Sequence, residues 1–198
     1  MSPRSEEQNE AIKDERREQI LSGSLRVFAR KGFAAAKISD IVARSGVSHG
    51  LVYHYFKSKE DIFLELLKRA IGTSSDTLKM VDALPLSPIE KVRQTARYIL
   101  RGIGDFEESA YYFLIVIHAS VMEGPEYSRV ENLKSSTALE TMAGILAEGQ
   151  KAGEVRPGDT LAMSTVFFSA IQGLAMYKLA MEDFKVPDPE ILVNIVKR

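Results

Sequence analysis

Residues 36–59, AKISDIVARSGVSHGLVYHYFKSK, hold two short helical patterns joined by a tight turn at Ser45-Gly46-Val47. Two helices meeting at a three- or four-residue turn that contains glycine make a helix-turn-helix, whose second helix enters the major groove of DNA. Here the second pattern carries Ser48, His49, Tyr53, His54 and Tyr55, with Lys57 and Lys59 directly after it. A short helix with polar and aromatic side chains, flanked by cations, fits a DNA groove. Alone the pattern is only moderately specific, because many all-helical proteins have such corners. Three neighbouring features support it here: an amphipathic helix before it, the polar-aromatic make-up of the second helix, and a capped helix that opens with lysine after it.

The supporting helix shows an apolar stripe at Ile20, Leu21, Leu25 and Phe28, and Gly32 is placed to end it as a C-terminal glycine. Ile38, Ile41 and Val42 begin the second helix, which stops at Gly46, and Ser48 is an N-cap for the third. Ser58 caps the fourth, with Asp61 at the N3 position of a capping box, and Ile62, Phe63, Leu66, Leu67, Ala70 and Ile71 line its inner face. Residues 72–88, GTSSDTLKMVDALPLSP, are the weakest stretch: Gly72 and the serines loosen it and two prolines break it. The expected division is therefore residues 1–72 as the helix-turn-helix domain with its linking fourth helix, and residues 73–198 as a second helical body. Helices are predicted over 89–103, 107–122, 127–152 and 160–184, and a short one from Pro189 to the end. The breaks fall at residues 123–125 and 153–158. No period-2 run is long enough for a strand. The fold class is all-α, with about nine helices: an N-terminal three-helix domain plus a C-terminal bundle.

The formal net charge of −1 argues against nucleic acid only if its distribution is ignored. From Ile20 to Lys59 there are seven cations and one acid, Asp40, a net of +6; beyond Gly72 the balance is −4. That asymmetry points to an anion-binding module on an acidic body. There is no cysteine, which excludes disulfides and thiolate metal sites and is compatible with the cytoplasm. The charged N-terminus lacks the apolar core of a signal peptide, and no run approaches the ~18–20 apolar residues of a membrane span. No membrane partner is expected.

RREQILSGSLRVFARKGF, followed by ISDIVARSGVSHGLVYHYFKSKEDIFLELL, resembles the N-terminal DNA-binding domain of the TetR (tetracycline-repressor-like) family of bacterial transcription regulators. The likeness covers about residues 16–70 and rests on Gly32-Phe33, Asp40-Ile41, Ser45-Gly46-Val47-Ser48, Gly50, Tyr53-His54-Tyr55-Phe56 and Ser58-Lys59-Glu60. The resemblance implies DNA contact at Ser48, His49, Gly50, Leu51, Tyr53 and His54 on the recognition helix. It implies phosphate contact at Tyr53 and Lys59, and contact from Lys37 and Ser39 at the start of the second helix. The N-terminus of the fourth helix adds an anion-binding dipole beside Lys59. Two residues depart from the family pattern. Lys37 stands where a Ser or Thr cap is common, and Leu51 stands where Thr is frequent and can only pack on a thymine methyl. Phe56 reads as core; Tyr55 reads equally as core or interface. His49 and His54 are surface histidines or DNA contacts, and their spacing does not suit a metal pair.

The body offers the elements of a control site. Tyr98, Phe106, Tyr112, Phe113, His118 and Met122, with Met142, Phe167, Phe168, Gln172 and Met176 from later helices, are candidates to line an apolar pocket with a few polar points. The alternative for each is plain core. Residues 160–181 are apolar on more than one face, which suggests a homodimer interface built as a four-helix bundle with the last helix. A dimer also places two recognition helices on successive major grooves of pseudo-palindromic double-stranded DNA. The expected function is a transcriptional regulator, a repressor released from its operator by a small, largely hydrophobic effector. The competing readings are an enzyme on a helical bundle, for which no catalytic or phosphate-loop motif is present, and a protein-binding adaptor. Nothing in the chain asks for a cofactor, a metal or a catalytic residue.

Overall fold

The computed structural model describes residues 6–122 and 137–198. Among these residues it has nine α-helices: α1 (Glu6–Ala35), α2 (Ile38–Ser45), α3 (His49–Tyr55), α4 (Lys59–Asp82), α5 (Pro88–Asp105), α6 (Glu107–Ser120), α7 (Thr137–Lys151), α8 (Thr160–Ala180) and α9 (Glu190–Val196). The all-helical expectation holds. Extended pairing among the described residues is limited to one isolated antiparallel bridge, Val155 with Lys197. The expected break at 123–125, and the first part of the helix expected from 127, lie outside the described residues.

Two apolar clusters organise the chain. The first joins α1–α4 to one side of α6: Ile20, Leu25, Phe28, Ile41, Val52, Phe63 and Leu66 pack with Tyr111 and Ile115. The second lies between α5 and the helices after it, around Val92, Ile103, Met142, Phe167, Ile171 and Val193. Helix α4 belongs to both, with Ile62, Phe63, Leu66 and Leu67 in the first and Leu78 in the second. It therefore corrects the expectation of a loosened chain from residue 72. Gly72 lies inside a continuous helix, and only residues 83–87 are non-helical before Pro88 opens α5. The apolar period carries past the glycine to Leu78 and Val81, both buried. Ser74 donates its hydroxyl to the Ala70 carbonyl at 2.9 Å, a bond made within the helix and compatible with its continuation.

Helix α8 corrects a second expectation. By length and composition Thr160–Ala180 is long and apolar enough to cross a membrane, with a mean hydropathy of 1.3 over its most apolar window. Gln172 and Lys178 interrupt the run, which is why no such stretch stands out in the sequence. In the fold Met163, Phe167, Ile171 and Ala175 bury one side of it in the second cluster.

The chain end is fastened to the start of α5. Arg156 N–H donates to the Val196 carbonyl at 3.0 Å, and Arg198 N–H donates to the Glu154 carbonyl at 3.1 Å. The Glu154 carboxylate accepts from Ile89 N–H at 2.9 Å, which satisfies one of the free donors at the α5 N-terminus.

Candidate nucleic-acid interface

The head is shaped first at the end of α1. Gly32 has φ 73° and ψ 165°, a backbone region that only glycine enters cheaply. The chain bends there and runs on into Lys37, which precedes α2 in an extended conformation. The Lys37 side chain makes no cap hydrogen bond, as the sequence reading expected. Its backbone N–H instead donates to Asp40 Oδ2 at 3.1 Å, and Asp40 also pairs with Lys31 at 2.7 Å. The hydrogen bond from Lys31, then that from Lys37 N–H, hold the Asp40 carboxyl below its usual range.

The turn follows from close packing of α2 on α1. Gly46 adopts φ 66° and closes α2 by donating its N–H to the Val42 carbonyl at 3.0 Å. Gln19 reaches across from α1 to donate to the Ser45 carbonyl at 2.7 Å. Any Cβ at Gly23 would lie 2.2 Å from Ser45 Oγ, so α1 and α2 cross in contact at this pair. The crossing leaves Ser45 Oγ buried without a hydrogen-bond partner.

Ser48 caps α3, accepting from Leu51 N–H at 3.2 Å. Val52 and Phe56 anchor that helix in the first cluster, at 0% and 5% exposure, and Tyr55 packs half-buried against it. The opposite face is open: Ser48, His49, Gly50 and His54 are exposed, and Tyr53 is 56% exposed. Leu51 is half-buried at the margin, and Lys37 and Ser39 are exposed at the start of α2. Eight of the nine residues expected to meet DNA thus lie on α3 or at the α2 N-terminus, none of them in the core.

Lys59 is the ninth, and its ammonium is already engaged. Nζ donates to the carbonyls of Phe33 at 3.0 Å, Ala36 at 3.1 Å and Ala34 at 3.5 Å, and stands 4.6 Å from the centre of the Phe33 ring. Ser58 caps α4 by accepting from Asp61 N–H at 3.2 Å.

The residues expected to line an effector pocket are dispersed. Tyr98, Phe106 and Met176 are at least half exposed. Met142 and Phe167 are fully buried in the second cluster, with Phe113 and Phe168 packed against it. Phe167 and Phe168 meet edge to face at 5.5 Å. Tyr112 and Met122 pack against the first cluster instead, and Gln172 is half-buried on α8. His118 lies against the bend in α1: Nε2 is 3.2 Å from the Ala29 carbonyl, and Nδ1 would be 3.2 Å from a Cβ at Gly32. One sequence run on α6 therefore serves two clusters and the head, because successive residues of a helix face different neighbours. A cleft of about 420 Å³ lies between α1, α2 and α6, lined by Gln19, Arg26, Arg44, Ser45, Glu107 and Tyr111 among others. None of the expected pocket residues borders it.

The junction at this cleft went unread in the sequence. Tyr111 Oη donates to Glu107 Oε1 at 2.7 Å and accepts from Arg30 Nε at 3.3 Å, while Arg26 pairs with Glu107 at 3.6 Å. Both guanidiniums stand 5.8 Å from the Tyr111 ring centre. The Tyr111 hydrogen bond, then the nearby arginines, hold Glu107 below its usual value of 4.5. Burial pushes the Tyr111 phenol up. The available signal was the i, i+4 spacing of Arg26 with Arg30 and of Glu107 with Tyr111, which puts each pair on one helix face.

The family model for bacterial regulatory proteins of the tetR family matches residues 20–66, which run from the α1 stripe into α4. The uncharacterized HTH-type transcriptional regulator YerO of Bacillus subtilis is 30% identical over 129 residues, 65% of this chain but 43% of its own length. The chain thus spans less than half of that relative. The solved structure of the transcriptional regulator FadR from Bacillus subtilis in complex with stearoyl-CoA aligns with a TM-score of 0.63 at 22% identity, over 89% of this chain and 92% of that one. AibR in complex with isovaleryl coenzyme A and operator DNA aligns with a TM-score of 0.68 at 15% identity, over 90% and 94%. At these identities the structural likeness shows a shared fold.

Proposed function

Because this chain belongs to the tetR family of bacterial regulatory proteins, we propose that it is a dimeric transcriptional repressor that leaves its operator when a small, largely hydrophobic effector binds the body. The open polar face of α3, held by Val52 and Phe56 beneath it, carries this reading. Ser48, His49, Gly50, Leu51, Tyr53 and His54 are assigned to the major groove, and Lys37 and Ser39 to the adjoining backbone. Phosphate contacts supply affinity and base contacts supply choice of sequence.

The dimer is assigned to the outer faces of α8 and α9. Leu161, Val166, Met176, Tyr177, Met181 and Ile191 are each at least half exposed there. A row of large apolar side chains on an outer helix face is a surface that association removes from water. Two heads on one dimer then meet two half-sites about 34–36 Å apart. An acyl-coenzyme A thioester, whose acyl chain is the hydrophobic part while its coenzyme head is large and anionic, is the effector class to try first, since it is the ligand class named for two regulators of this fold.

The test is selection of duplex DNA from a random pool, followed by gel-shift titration of the selected sequence. Tyr53→Ala combined with Lys37→Ala should weaken binding by about a hundredfold or more, with melting temperature unchanged. Failure to enrich any palindromic sequence would sink the reading. Long- and short-chain acyl-CoAs added to the preformed complex should release the DNA, whereas coenzyme A alone should not.

A further inference from the structure

The cleft between α1, α2 and α6 has one wall from the head and one from the body. Its volume of about 420 Å³ falls within the range of small-molecule sites, about 300–1,000 Å³. No aliphatic side chain lines it, so it does not suit the hydrophobic effector assigned to the body. Its charges are sorted between the walls: Arg26 and Arg44 stand on the head, Glu107 and Glu108 in the first turn of α6. Glu107 is already occupied. It accepts from Tyr111 at 2.7 Å and pairs with Arg30 at 3.4 Å and Arg26 at 3.6 Å. Arg44 and Glu108 are exposed, and neither makes an ion pair or a side-chain hydrogen bond among the described residues.

Ser45 is a separate observation at the same place. It is 6% exposed and belongs to the lining of the cleft. Among the described residues its hydroxyl is the only buried side-chain oxygen or nitrogen without a hydrogen-bond partner. A hydroxyl both donates and accepts, and leaving one unpaired in the interior is unfavourable. A polar molecule seated in the cleft can supply the missing partner. A simple anion there meets Glu107 and Glu108, and a simple cation meets Arg26 and Arg44. A molecule that carries a carboxylate and an ammonium on a short carbon frame meets opposite charge on both walls.

We propose that this cleft is a second ligand site, which takes a small zwitterion of the α-amino-acid class. The carboxylate lies toward Arg44 and Arg26, the ammonium toward Glu108, and the Ser45 hydroxyl completes its bonding on the ligand. A molecule held by both walls binds best at one placement of the head on the body, so it also biases that placement. This is a polar input distinct from the hydrophobic effector. Its influence on operator affinity rests on the DNA-binding reading above; the site itself does not.

Two measurements separate the site from its influence. The first uses the full chain without DNA, and follows backbone amides by heteronuclear NMR as each standard α-amino acid is added in turn. Acetate and ethylammonium serve as the two half-molecules at matched ionic strength. At least one amino acid should shift Gly23, Arg44, Ser45 and Glu108 saturably, with half-saturation at about 1 mM or below. Each half-molecule should bind at least about tenfold more weakly. R44M and E108Q should each weaken binding by about tenfold at unchanged melting temperature, since neither side chain has a partner to lose. S45A should weaken binding without lowering the melting temperature, because it removes an unpaired hydroxyl. No saturable shift with any amino acid, or binding indifferent to both R44M and E108Q, would overturn the site. Acetate binding as tightly as the best amino acid would overturn the zwitterion. The second measurement titrates the selected duplex by fluorescence anisotropy with the best amino acid present at saturation. Duplex affinity should change by about fivefold or more, and E108Q should abolish the change while leaving affinity without amino acid unaltered. Equal affinities with and without it would remove the regulatory influence and leave the site.

Discussion

Gly32 shows what one residue decides in this chain. Its φ of 73° with ψ of 165° bends the end of α1, brings three carbonyls to Lys59 and leaves room for the His118 ring. An alanine there meets both a forbidden backbone region and the imidazole. Gly32→Ala should destabilise the fold by about 1–3 kcal/mol, measured by urea unfolding, and should speed amide exchange in α2 relative to the parent. A native-like unfolding midpoint would mean that the bend survives without glycine. Gly32, Gly46, Ser48 and Ser58 were all readable in advance, because each performs a local backbone task. Lys59 was not, since its partners lie 23 to 26 residues away and local spacing carries no information about them.

At the scale of elements, α4 and α6 bind the head to the body. Helix α4 does so by continuity, and its N-terminal half is also fixed to α1 by charge. Arg69 makes a two-pronged pair with Glu18 at 2.6 and 2.7 Å and reaches Glu65 at 3.1 Å, while Glu65 also pairs with Arg17. Helix α6 does so through Glu107 and Tyr111. Individually these exposed pairs contribute about 0–1 kcal/mol, but they share a direction with pH. Glu18 is held below its usual value of 4.5 by its hydrogen bonds to Arg69, as Glu107 is by Tyr111. A carboxyl whose folded value is depressed stabilises the fold fully above its unfolded value, and loses that contribution as pH falls through the folded one. The melting temperature should therefore drop as pH is lowered from about 5 toward 3. The double variant Glu18→Gln with Glu107→Gln should melt lower than the parent at pH 7 and converge with it in acid. Parallel curves for the two proteins would remove these carboxylates from the account. At the other end of the body, Glu154→Ala removes the acceptor for Ile89 N–H at the start of α5. It should cost about 1 kcal/mol, read as a shifted denaturation midpoint with unchanged DNA affinity.

For the whole molecule the proposed dimer rests on α8. That helix is apolar on more than one face, and in the single chain Phe167 and Ile171 face the core while Val166, Met176 and Tyr177 face out. Val166→Asp with Met176→Asp should convert a dimer to a monomer in analytical ultracentrifugation and abolish binding to a two-half-site duplex. The folded helix content should stay at the parental level. A variant that remains dimeric would place the interface elsewhere.

The sequence by itself determined the all-helical class, the head and its turn, the caps of α3 and α4, and the inward and outward faces of α3. All of these follow from periodicity and from the short-range chemistry of Gly, Ser and Asp, which act within about one helical turn. Only the tertiary structure decided the rest. It carried α4 unbroken past Gly72 because Leu78 joined the second cluster and Val81 was buried beyond it in sequence. It divided the aromatics of α6 between two clusters and set His118 against α1 rather than beside Phe168. It also gave the Lys59 ammonium to three backbone carbonyls. Burial and long-range charge pairing depend on which elements come together, and that is settled by packing the whole chain rather than by any stretch of it.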